Sequence, residues 1–184
     1  GLYPGRVCIP DGFVPPVDVA DTPVWPHRVS PSWKALMSGG STGTPKLIVS
    51  TRSSELDLNS GSRTGMRKGG VVLVAGPLYH NAPFGMLAVA VATGCHVVLL
   101  RRFNALAALE AIERYRVDQV TLVPTMMLRM WRALQENPGR FDISSLRNVW
   151  HMAAPCPPWL KEAWIDLVGA ENLFEMYGGT EGHA

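Results

Sequence analysis

The sequence predicts an α/β fold in which a mainly parallel sheet carries helices on both faces. Two observations lead there. From Val71 onward, short apolar runs of strand length alternate with segments of helical length, and that alternation implies parallel strands joined by crossover helices. The composition, 47% hydrophobic and 17% charged over 184 residues, supplies apolar volume for one packed core and falls short of two.

Taken in order, the first 31 residues hold seven of the fifteen prolines, from Pro4 to Pro31. Proline at that density blocks regular helix and central strand, so residues 1–32 are expected to form an extended lead-in to an α/β unit over 33–184. Trp33 to Met37 and Leu47 to Val49 read as two strands joined by a loop, and Ser53 to Asn59 as a helix. Val71 to Ala75 is a buried strand, Ala82 to Thr93 a helix and His96 to Leu100 the next strand. Asn104 supplies an N-cap for a helix over Ala105 to Tyr115. Gln119 to Val123 is strand and Thr125 to Glu136 helix; Leu146 to Met152 strand, Pro158 to Val168 helix and Asn172 to Met176 strand complete the pattern.

Several function classes are excluded or disfavoured early. A net charge of +2 suits neither a nucleic-acid surface nor a strongly acidic partner. Cys8, Cys95 and Cys156 are odd in number and widely spaced, as free thiols of a reducing cytosol would be. No basic region followed by an apolar run opens the chain, and the longest apolar stretch, Ala82 to Cys95, is too short to span a bilayer. A cytoplasmic location is the expectation. The histidines show no metal-ligand spacing. Met126, Met127, Met130, Trp131 and Leu134 recur at helical spacing, which is a core stripe first and a pocket lining second.

Chemistry concentrates in the segment Ser38 to Lys46, SGGSTGTPK, with three glycines, four hydroxyls and one lysine. Glycines let backbone N–H groups converge on an anion, hydroxyls add donors, and lysine supplies a point charge for phosphate. A Walker loop is excluded, because Pro45 precedes the lysine where that pattern needs glycine. Alone, the segment reads equally as a flexible hairpin loop. A second segment lies far downstream: Tyr177-Gly178-Gly179-Thr180-Glu181, after a short apolar strand. Between the two lie Pro77-Leu78-Tyr79-His80-Asn81 and Ala153-Ala154-Pro155, each following a predicted strand. On a parallel sheet all of these gather outside the carboxyl ends of the strands, where ligands of such sheets bind.

These four segments, in this order, resemble the motifs of the adenylate-forming superfamily, and within it most nearly an acyl-CoA synthetase of the fatty-acid ligase type. The resemblance implies an ATP- and Mg²⁺-dependent ligase that converts a carboxylic acid to an acyl-adenylate and passes the acyl group to coenzyme A. By that resemblance Ser41, Thr42, Gly43, Thr44 and Lys46 hold the β- and γ-phosphates, and Ala153, Ala154, Pro155 and Gly178 line the nucleotide site. Tyr177 packs on adenine, Thr180 bonds the α-phosphate, Glu181 is the Mg²⁺ ligand, and His80 and Asn81 border the acid pocket. Read without the family, Tyr177 is equally a core tyrosine, His80 a structural histidine and Glu181 a cap. Three departures stand out: Gly39 where the family usually has Ser or Thr, Leu47 where it has Gly, and Ala153-Ala154 in place of a glycine pair. The last is accommodated easily unless the turn needs positive φ.

The chain ends three residues after Glu181, ahead of the ribose-binding aspartate, the hinge and the lysine-bearing C-terminal domain that the family implies. It is therefore expected to be a fragment of the large N-terminal domain that folds alone without making acyl-adenylate. A carrier-protein-loading domain, a luciferase-type oxidase and a non-catalytic nucleotide-binding module are the alternatives.

Overall fold

A computed structural model describes residues 29–37, 43–44, 46–55 and 64–180. Two strands, β1 (Ala35–Met37) and β2 (Leu47–Val49), pair antiparallel with Leu36 opposite Ile48, so the glycine-rich segment joins the arms of a hairpin. The remaining strands are β3 (Val71–Val74), β4 (His96–Leu99), β5 (Gln119–Leu122), β6 (Asn148–Met152) and β7 (Leu173–Met176). They form one sheet of order β4-β3-β5-β6-β7, every neighbouring pair parallel.

Four helices connect them: α1 (Asn81–Thr93), α2 (Ala105–Tyr115), α3 (Pro124–Glu136) and α4 (Pro158–Val168). Strand side chains alternate between the faces, so Leu73, Val120, Leu122 and Val149 face one side while Val72, Val74 and Met152 face the other. The first set packs on Leu109 and Ile112 of α2, Met127 and Met130 of α3, and Leu160 and Trp164 of α4. The second packs on Met86 and Ala90 of α1. The expected parallel sheet with helices on both faces is present. The Met127 and Met130 part of the methionine stripe is core, fully buried, with the Trp164 indole N–H donating to the Met127 carbonyl at 3.2 Å.

Local chemistry accounts for the boundaries. The Asn104 side chain accepts from the Ala107 N–H at 3.0 Å and starts α2 where expected. Proline opens α3 and α4, where its missing N–H has no helical partner to lose. Strand β6 starts at Asn148 instead of Leu146, because Leu146 N–H is drawn into a turn with the Ile143 carbonyl while Arg147 and Asn148 N–H both donate to the Asp118 carbonyl. Strand β1 starts at Ala35, two residues later than expected. The helix expected over 53–59 is not formed in its described part: Ser54 N–H donates to the Ser30 carbonyl and Ser30 N–H to the Ser54 hydroxyl, an extended pairing that holds the chain out of helical geometry. Residues 56–59 lie outside the described set, as do residues 1–28 of the lead-in.

Candidate nucleotide and acid site

Register aligns the carboxyl ends of β4, β3, β5, β6 and β7 along one edge, with Val74 opposite Leu99, Leu122 opposite His151 and Met152 opposite Met176. Pro77 to Asn81 leave β3, Ala153 to Pro155 leave β6, and Tyr177 to Thr180 leave β7. The chain runs from β3 to β4 on one side and from β4 across to β5 on the other, which makes the gap between β3 and β5 the switch point of the sheet.

Tyr177 is 91% exposed, which removes the core reading. Gly178 and Gly179 beside it are exposed and Thr180 is half-buried. His80 is exposed at the start of α1, its ring tilted against Tyr79 with 4.5 Å between centroids. The Asn81 oxygen accepts from Lys34 Nζ, and Trp33 stacks on Phe84 at 5.7 Å. These two contacts dock the hairpin onto the first turn of α1, beside His80. Burial, with a smaller push from Arg52, lowers the pKa of Lys34. Of the loop, Gly43, Thr44 and Lys46 are described and exposed, whereas Ser41 and Thr42 lie outside the described residues, as does Glu181. Gly43 sits at φ 154°, which an L side chain rarely adopts.

Ala153 adopts φ 73°. The turn after β6 therefore does demand positive φ, and the alanine in place of glycine carries about 1 kcal/mol of backbone strain beside the site. Gly76, just after β3, is held for a different reason: a Cβ there would meet Pro83 of α1 at 2.8 Å.

Behind the edge, His151 is 1% exposed with neither ring nitrogen hydrogen-bonded. Its Nδ1 lies 3.9 Å from Glu175, whose carboxylate takes a 2.7 Å bond from Lys161. Burial, opposed by Glu175, keeps the pKa of His151 below its ordinary value, so the ring is neutral. Cys95 and Cys156 are free, and burial pushes both thiols up, away from nucleophilic thiolate character.

The sequence reading missed a cavity of about 480 Å³ at the switch point, lined by Pro77 and Tyr79 after β3, Arg101, Arg102 and Phe103 after β4, and Thr125, Met126 and Arg129 at the start of α3. The available signal was the Arg101-Arg102 pair directly after an apolar strand. Among the described residues no three metal-ligating side chains cluster, and no helix is long and apolar enough to cross a membrane.

A profile of the AMP-binding enzyme family matches residues 34–184. The chain belongs to that family. Relatives include a 4-coumarate–CoA ligase-like protein of Arabidopsis thaliana, 29% identical over 80% of this chain and 27% of its own length. Another is 4-coumarate–CoA ligase 2 of Oryza sativa subsp. japonica, 36% identical over 78% of this chain and 26% of its own. Among solved structures, a long-chain-fatty-acid–CoA ligase from Archaeoglobus fulgidus superposes with a TM-score of 0.66 at 26% identity, over 80% of this chain and 31% of that one. O-succinylbenzoate coenzyme A synthetase from Bacillus subtilis, in complex with ATP and magnesium ion, gives 0.63 at 28% identity over 80% and 30%. The chain thus spans about a quarter of the length of the curated relatives it matches. The fold of this AMP-binding segment is the one those structures share.

Proposed function

We propose that the protein is an AMP-forming acyl-CoA synthetase, in which this segment holds ATP and one wall of the acid pocket. The observation that carries the reading is the placement of three separate motif segments, after β3, β6 and β7, on one edge of a parallel sheet, with the glycine-rich hairpin docked beside the first of them. The names of the relatives, several of them CoA ligases, support it.

In the first step a carboxylate oxygen attacks the α-phosphorus of ATP, the bond to the β-phosphate oxygen breaks, and pyrophosphate leaves. The acid is already ionised, so no general base is required. What the chain supplies is position and charge: Ser41, Thr42, Gly43, Thr44 and Lys46 toward the leaving pyrophosphate, Thr180 toward the α-phosphate, Tyr177 against adenine. The exposure of Tyr177 leaves its ring available for that stacking. Ala153, Ala154, Pro155 and Gly178 line the nucleotide, and His80 and Asn81 border the acid. A magnesium ion bound by substrate phosphates and a single carboxylate, that of Glu181, suits a segment with no three-ligand cluster among its described residues, and it would neutralise phosphate charge. In the second step a thiol attacks the acyl carbonyl and AMP leaves. Residues 33–184 form the nucleotide-binding unit, and residues 1–32 are a lead-in to it.

The test is to assay the complete protein with ATP, Mg²⁺, coenzyme A and a panel of aromatic and fatty acids, following AMP and acyl-CoA by mass spectrometry. Acid-dependent formation of both products is expected. ATP cleavage to ADP, or AMP formation independent of any acid, would remove the reading.

A further inference from the structure

The arginine-lined cavity at the switch point has no role in acid activation, and its charge is what sets it apart. Its lining includes three arginines and no carboxylate. A second cavity of about 360 Å³ shares Phe103 and Arg129 with it and adds Asn104, Arg132 and Glu136, so the two form one groove from the sheet edge along α2 and α3. Arg102, Arg129 and Arg132 are exposed, and among the described residues none has a carboxylate within ion-pair distance. Four guanidiniums and one aromatic ring along a groove, against one acid, match a ligand with several phosphates and a planar base. A single distal carboxylate on the acid substrate would leave most of that charge unanswered.

Resting on the CoA-ligase reading, we propose that this groove docks the nucleotide end of the acceptor: the arginines take the 3′-phosphate and pyrophosphate of coenzyme A and Phe103 packs on its base. The placement fits the reaction. Four strand spacings, about 19 Å, separate the end of β4 from that of β7. A flexible pantetheine arm is the part of coenzyme A that bridges such a gap between nucleotide and thiol. The reading selects free coenzyme A over a carrier protein, which presents its phosphopantetheine without a nucleotide.

The experiment compares wild type with R102E, R129E and the double variant in the complete protein, with thermal unfolding as the fold control. Three readouts are taken: direct titration with adenosine 3′,5′-bisphosphate, KM for coenzyme A against KM for pantetheine, and acid-dependent pyrophosphate exchange. The proposal expects each substitution to weaken the bisphosphate and raise KM for coenzyme A by about tenfold or more, with pantetheine use and pyrophosphate exchange unchanged. Equal bisphosphate affinity in wild type and variants, or no binding to either, overturns it. So does a rise in KM for the acid within the exchange reaction, which would assign the groove to an anionic acid instead. Failure of pyrophosphate exchange in wild type with every acid sinks the parent reading, while the bisphosphate titration still decides the groove.

Discussion

At the amino edge of the sheet charged groups answer one another; at the carboxyl edge arginines stand without acids. Arg67 meets Asp118 at 3.3 Å, Arg116 meets Asp142 at 2.5 Å and Arg140 meets Glu110 at 3.4 Å, all around the starts of β3, β5 and β6. Asp118 also accepts from Val71 N–H, and its carbonyl takes the N–H groups of Arg147 and Asn148, so one residue ties three strands. Hydrogen bonds from the Ser144 hydroxyl and N–H, with Arg116, pull the Asp142 pKa down to about 2. Across the sheet, apart from the Lys161–Glu175 pair under α4, the polar groups at the strand ends face outward: Arg102, Arg129, His80 and Tyr177. Ala153 is strained there. One edge holds the fold, and the other is arranged for ligands that bring their own negative charge.

Substitutions separate the two edges. Lys46→Ala should lower kcat/KM for ATP by about 100-fold, some 2.7 kcal/mol, while leaving the acid's binding and the melting temperature nearly unchanged. Steady-state kinetics at varied ATP checks it; unaltered ATP kinetics removes Lys46 from the phosphate site. Asp118→Ala should do the reverse, costing about 2 kcal/mol in denaturant unfolding through the N–H and guanidinium it abandons, with activity per folded molecule preserved. A large loss of specific activity in that variant would break the division between edges.

Smaller changes sharpen it. Ala153→Gly should stabilise by about 1 kcal/mol by relieving the positive φ, visible as a higher urea midpoint at unchanged slope. Destabilisation would mean that the alanine is not strained. The smallest effect concerns His151. Its native pKa lies below 6.5, so the unfolded chain binds the extra proton, and stability falls as pH drops through 6.5 toward the lowered native value. Unfolding midpoints between about pH 7.5 and 5.5 should therefore decline in wild type and flatten in His151→Leu. Parallel profiles for the two proteins would contradict the neutral buried ring.

Much of this was legible before any coordinates. The cap at Asn104, the helix over Pro158–Val168 and the gathering of Pro77 to Asn81, Ala153 to Pro155 and Tyr177 to Thr180 at one edge follow from local chemistry and parallel topology. What failed was decided by distant partners. Ser53 to Glu55 pair with Ser30 instead of coiling, and β6 waits for Asn148 because Asp118 holds the residues before it. The positive φ of Ala153 is a property of a turn, not of a residue type. The arginine groove is assembled from the ends of β3 and β4 and the start of α3, so no single stretch of sequence announces it.

The measurement that bears most directly on the account is exchange of labelled pyrophosphate into ATP by the complete protein, with and without a panel of carboxylic acids, in wild type and Lys46→Ala. The account predicts exchange that requires an acid, needs no thiol, and drops about 100-fold in the variant. Exchange that persists without any acid, or that is indifferent to Lys46, would contradict it.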